Sequence, residues 1–137
     1  MSQKLVVALA QINFLVGDIP GNTQRVIDCA NDLAAQGGTD LVLFSELALT
    51  GYPPEDLLLR PSLERRISDA LARIQTEVRG ICVVVGYPKK HKGALRNMAG
   101  VIVDGQLVYE YAKQKLPNYQ VFDEKRYFEP ADEVGVF

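Results

Sequence analysis

A layered α/β protein with a mixed sheet is the fold that the sequence predicts, and three observations carry it. Two short runs, LVLF at residues 41–44 and ICVVV at residues 81–85, are apolar throughout, as strands covered on both faces are. Each is preceded by a stretch with apolar residues at helical spacing. Near the C-terminal end, Asp104-Gly105 separates two strand-like runs, the signature of a tight hairpin. The order strand, helix, strand, helix, strand, hairpin requires helices layered on a sheet with both parallel and antiparallel pairs. At 137 residues, with 47% apolar and 23% charged side chains, the chain has the size and balance of one globular domain.

Leu5 to Ala10 reads as the first strand, and GDIPGN, residues 17–22, as a turn-rich entry to a helix. With Asn22 as N-cap, Val26, Ile27, Ala30, Leu33 and Ala34 form one apolar face, which stops at Gly37-Gly38. After the second strand, a turn spans Gly51 to Pro54. Ser62 is placed to cap a helix with the stripe Leu63, Ile67, Leu71, Ile74 and Val78, ended by Gly80. The third strand is followed by a basic segment, Lys89 to Lys92, read as a loop. Met98 to Val103 and Leu107 to Tyr111 are the arms of the hairpin. The closing ADEVGVF resembles the start of a further strand, which would leave an exposed edge.

Lys and Arg number 15 against 17 Asp and Glu without a like-charge block, which argues against nucleic acid or an acidic membrane surface as partner. The six apolar residues before Gln11 are too few for a secretory or membrane-spanning segment, so a cytoplasmic protein is expected. Cys29 and Cys82 have no metal-ligand spacing and read as buried thiols; His91, among three lysines, reads as a solvated loop residue, and no metal site is expected.

Two segments carry chemistry. Glu46 lies just past the end of the second strand, where ligands gather in open α/β sheets. Partly desolvated by Phe44, Leu47 and Leu49, it would suit a general base; the alternative is a carboxylate that turns outward or caps a backbone N–H. The second segment is YAKQKLPNYQVFDEKRYFEP, residues 111–130. It places Lys113 and Lys115 beyond a strand end and then interleaves aromatic and charged residues, with more elaboration than a surface connection requires.

SELALTGYPPEDLL and YAKQKLPNYQVFDEKRYFEP resemble the two N-terminal signature regions of the nitrilase, or carbon–nitrogen hydrolase, superfamily. Residues 51–57, GYPPEDL, and 115–119, KLPNY, are most similar to the glutaminase domains of glutamine-dependent NAD synthetases, and the likeness begins with VVALAQINFLVGDIPGN. The resemblance implies the N-terminal portion of a nitrilase-type α-β-β-α sandwich and a Glu, Lys, Cys triad that hydrolyses carbon–nitrogen bonds. Glu46 matches the general base, and Lys113, three residues before Leu116, matches the catalytic lysine in preference to Lys115. Tyr119 and Phe122 match positions lining a glutamine pocket, Tyr52 a tyrosine beside the catalytic glutamate, and Glu124 a second glutamate near the nucleophile.

The nucleophilic cysteine of the pattern falls beyond Phe137. Residues 1–137 are therefore expected to be the N-terminal part of such a domain, ending before its nucleophile, with Cys29 and Cys82 inert. The implied activity is hydrolysis of L-glutamine to feed ammonia to ATP-dependent NAD synthesis from deamido-NAD. ATP and Mg would belong to a C-terminal synthetase domain, with no cofactor in this part, and a homo-oligomer is implied. Alternatives are a stand-alone amidase or carbamoylase, or a non-catalytic binding protein.

Overall fold

A computed structural model describes residues 2–136. Five strands form one sheet in sequence order: β1 (Val7–Ala10), β2 (Leu41–Phe44), β3 (Cys82–His91), β4 (Ala94–Val103) and β5 (Gln106–Ala112). β1, β2 and β3 run parallel, joined by the helices α1 (Ile19–Gln36) and α2 (Leu63–Glu77), and β4 and β5 continue antiparallel. Consecutive crossovers of one hand that step in one direction put both helices on the same face of the sheet. Their apolar stripes join Val42, Phe44, Val83, Val85, Tyr87, Met98 and Ile102 in a single core. The α/β class with a mixed sheet is thus as the sequence predicts. Among the described residues no helix is long and apolar enough to cross a membrane.

The second face of the sheet is apolar and open. Strand alternation places Leu9, Leu43, Val84 and Tyr111 there, and Leu9 is 70% exposed. The Asp104-Gly105 hairpin forms as expected, with φ of 46° and 81°, both in the left-handed region a tight hairpin turn demands.

Several boundaries depart from the sequence reading. β1 begins at Val7 rather than Leu5. Helix α1 starts at Ile19, capped by Asp18, whose Oδ1 accepts from the Gly21 N–H at 3.0 Å, with Pro20 in the first turn. Asn22 is therefore not the cap. Fully buried, it donates from Nδ2 to the carbonyls of Leu15 and Leu49 and accepts from the Leu15 N–H, tying two loops together. Ser62 precedes α2 but makes no side-chain cap, and the helix ends at Glu77, before Gly80. Of the basic segment Lys89 to Lys92, only Lys92 lies in a turn, at φ 51°. β3 continues through His91 and pairs along its length with β4, which begins at Ala94 rather than Met98. Lys89 is held there by Glu110 on β5, Nζ to Oε1 at 2.7 Å, and the same carboxylate accepts from the fully buried Tyr87 hydroxyl at 2.7 Å. Residues 131–136 form no strand, and Phe137, the last residue of the expected one, lies outside the described residues. Cys29 and Cys82 are half-buried rather than buried.

The turn after β2 is locked against β3. The Leu49 N–H donates to the Gly86 carbonyl at 3.2 Å, and Leu47 sits at φ 51°. A Cβ on Gly86 would stand 2.5 Å from the Leu47 nitrogen and 2.8 Å from the Ser45 oxygen, both backbone atoms of that turn. Gly86→Ala is therefore expected to lower unfolding stability by about 1–3 kcal/mol, the usual cost of overpacking, seen as a lower midpoint in urea denaturation at unchanged slope.

Candidate active site

Three charged side chains meet at the end of the sheet. Glu46 arrives on the turn that follows β2, Lys113 on the residue after β5, and Glu124 on a short 3-10 turn, Glu124–Arg126. The Lys113 ammonium donates to Glu46 Oε1 at 2.6 Å and to Glu124 Oε1 at 3.0 Å. Lys113, and not the exposed Lys115, is the lysine that bridges. Its backbone is fixed on both sides: its N–H donates to the Asn97 carbonyl at 2.8 Å and its carbonyl accepts from the Ala131 N–H at 3.1 Å. The segment from 113 to 131 is thereby closed on itself, and the Glu124 N–H donates back to the Pro117 carbonyl.

The two carboxylates occupy different environments. The Glu124 side chain is 7% exposed, and its Oε2 has no hydrogen-bond partner among the described residues. Burial pushes the Glu124 carboxyl up, and the Glu46 charge adds to the shift, against the Lys113 ammonium and the Asn97 amide. Glu46 is 43% exposed, so the desolvation expected from Phe44, Leu47 and Leu49 is not delivered: Leu47 and Leu49 turn into the core and leave the carboxylate open. Burial disfavours the Lys113 ammonium, but its bonds to Glu46 and Glu124 outweigh that and raise it above the ordinary lysine range. It is a fixed cation at any physiological pH.

The remaining candidates surround this cluster. Tyr52, Phe122 and Glu124 line a cavity of about 170 Å³ with Leu47, Asp56 and Tyr127. Tyr52 is partly exposed; burial raises its phenol, and the Glu46 and Glu124 charges act the same way against Lys113. Tyr119 does not line that cavity; it is 62% exposed and packs edge-on against the Phe122 ring at 5.7 Å. Glu46 and Lys113 line a second cavity of about 200 Å³ together with Asn97 and the open-face residues Leu43, Val84 and Tyr111. Asn97 was not expected at the site. Buried at 4% exposure, it donates from Nδ2 to Glu46 Oε1 at 2.6 Å. A lone amide in an apolar strand could have flagged it, but the strand was expected to begin one residue later.

Neither cysteine belongs to the cluster. Cys29 is on α1, and Cys82 pairs with Leu41 at the start of the parallel strands, about 13 Å along β3 from Gly86, which abuts the Glu46 turn. Burial raises both thiols, with Asp32 adding to the effect at Cys29, so neither favours the thiolate. Among the described residues no group of His, Cys, Asp and Glu could hold a metal ion.

Residues 6–137 match the carbon-nitrogen hydrolase family. This chain belongs to that family. A glutamine-dependent NAD(+) synthetase of Xylella fastidiosa is 46% identical over 129 residues, which is 94% of this chain and 24% of the relative; one of Thermotoga maritima is 42% identical over 98% of this chain. The chain spans about a quarter of the length of these relatives. Among solved structures, the glutamine-dependent NAD+ synthetase of Acinetobacter baumannii aligns with a TM-score of 0.90 at 45% identity, over 96% of this chain and 25% of that one. An amidase from Nesterenkonia sp. shares the fold, with a TM-score of 0.81 at 24% identity over 94% of this chain and 49% of that one.

Removing the shared cation would leave Glu124 buried beside another carboxylate. Lys113→Met is expected to destabilise the fold at pH 7 by about 1–3 kcal/mol, less than a deeply buried pair because Glu124 can take up a proton. The sign follows from proton binding: with its pKa raised further, the folded variant binds more protons than the unfolded chain, so its deficit narrows as the pH falls. Denaturant titrations at pH 7 and about pH 4, near the unperturbed carboxylate value, check this.

Proposed function

We propose that this chain carries the glutamine-hydrolysing chemistry of a glutamine-dependent NAD synthetase, with Glu46 as general base and Lys113 as the electrostatic stabiliser. The observation that carries the reading is the Lys113 ammonium held 2.6 Å from Glu46 Oε1 at the end of the sheet, in a chain 46% identical to a synthetase of that name. The family resemblance implies a cysteine nucleophile, and neither Cys29 nor Cys82 fills that role, since both lie away from the cluster.

In this mechanism Glu46 takes the proton of the thiol, and the thiolate attacks the side-chain amide carbon of glutamine. Negative charge then builds on the amide oxygen, where the fixed Lys113 ammonium stabilises it. As the carbon–nitrogen bond breaks, Glu46 returns the proton to the departing ammonia; it next takes a proton from water, whose oxygen cleaves the thioester to give glutamate and the free thiol. Glu124 supports the step by holding Lys113 from its buried side. Tyr52 and Phe122 line the cavity that receives the substrate, with Tyr119 packed behind Phe122. ATP, Mg and deamido-NAD act in a separate synthetase domain, to which the ammonia passes. The whole enzyme is a homo-oligomer.

Full-length Glu46→Gln is expected to lose glutamine-dependent NAD formation by at least about 10³-fold, the scale on which removal of a group acting in the transition state is felt. The same variant keeps NAD formation from added ammonia, which bypasses the site. Retained glutamine-dependent turnover would overturn the assignment.

A further inference from the structure

Resting on that reading, we propose that Asn97 is a positioning residue for the hydrolysis, setting both the Glu46 carboxylate and the Lys113 backbone from one point on β4. Its side-chain Nδ2 donates to Glu46 Oε1 at 2.6 Å, and its main-chain carbonyl accepts the Lys113 N–H at 2.8 Å. No other described residue bonds to both. The residue itself cannot wander: it is 4% exposed and lies within β4, opposite Pro88 on β3.

The consequence is a division of labour within one carboxylate. Glu46 Oε1 accepts from Asn97 and from Lys113, both at 2.6 Å, while Oε2 carries neither bond. With one oxygen held by two donors, the plane of the carboxylate is fixed and the other oxygen is the one left to take a proton. Glu46, Asn97 and Lys113 line the same cavity. Without the amide, Lys113 alone would hold Glu46, and a single point charge on a flexible stem restrains a carboxylate's rotation poorly. Glu46 is 43% exposed, so packing does not supply the restraint either.

The test uses the full-length enzyme with Asn97→Ala and the near-isosteric Asn97→Asp, assayed for glutamine-dependent and ammonia-dependent NAD formation beside Glu46→Gln. Glutamine-dependent kcat is expected to fall about 10- to 100-fold in both Asn97 variants, as loss of a partner that orients a reacting group does. KM for glutamine changes less than about 3-fold, because Asn97 does not line the cavity formed by Tyr52 and Phe122, and ammonia-dependent turnover is kept. In Asn97→Asp the new carboxylate faces Glu46 and Glu124, with the Lys113 ammonium as counter-charge, and its net repulsion of Glu46 acts at neutral pH; once protonated it donates again, so the variant's rate relative to wild type rises as the pH falls. A purely structural role would give no such recovery. Wild-type kcat in the Asn97 variants with Glu46→Gln inactive overturns this proposal alone. Parallel loss of both activities makes Asn97 structural and also overturns it. An active Glu46→Gln instead removes the mechanism on which it rests.

Discussion

One ammonium lies between two carboxylates, and the arrangement of the chain's end of the sheet depends on it. Glu124, with 7% of its side chain exposed, would be costly to hold charged in that position alone, and a second carboxylate nearby raises the cost. Lys113 offsets both. The two arms of the bridge differ: the contact with Glu46 is the shorter, 2.6 Å against 3.0 Å, but open to water, whereas the contact with Glu124 lies in a drier medium. The buried arm anchors the lysine and the exposed arm leaves the Glu46 carboxylate open to solvent, a division one symmetric pair could not provide.

Backbone, more than side-chain reach, puts these groups together. The turn bearing Glu46 is pressed onto β3 at Gly86, where no side chain fits, and is held by Leu49 N–H to the Gly86 carbonyl. Lys113 is paired to β4 through Asn97, and Glu124 returns to the same place because its loop closes from Ala131 to Lys113. Strand ends are good anchors for such chemistry because each is fixed by two neighbours, and a shift at one must disturb the core beneath it.

Sequence patterns exposed the elements whose signals are local. The apolar runs at β2 and β3, the helical stripes and Asp104-Gly105 depend on neighbours within a few residues, and each appears as expected. The departures involve partners far along the chain. Asn22 looks like a cap because the acceptor that takes it inward, the Leu49 carbonyl, is 27 residues away. Lys89 looks like part of a loop because Glu110, which makes it a strand residue, is 21 residues away. Glu46 and Lys113 stood out from sequence because their motifs resemble those of a family, but their contact spans 67 residues and no spacing rule predicts it. Asn97 had no motif, only the weak signal of an amide at the edge of an apolar run, and the 51-residue contact with Glu46 is what places it at the site.

The exposure of Glu46 and the open face of the sheet have one origin. The cavity holding Glu46 and Lys113 is walled by Leu43, Val84 and Tyr111, residues of the uncovered face, so whatever packs on that face also closes the cavity. Electrostatic stabilisation of a developing oxyanion is strong only where water is excluded, and an ammonium beside bulk solvent loses most of its effect. These residues therefore set the geometry of the site without setting its dielectric. Burying the apolar face against another apolar surface would supply the missing dryness and, by the same contact, stabilise the sheet. Folding and catalysis would then draw on a single surface, with Leu43 and Tyr111 serving the core and the site together.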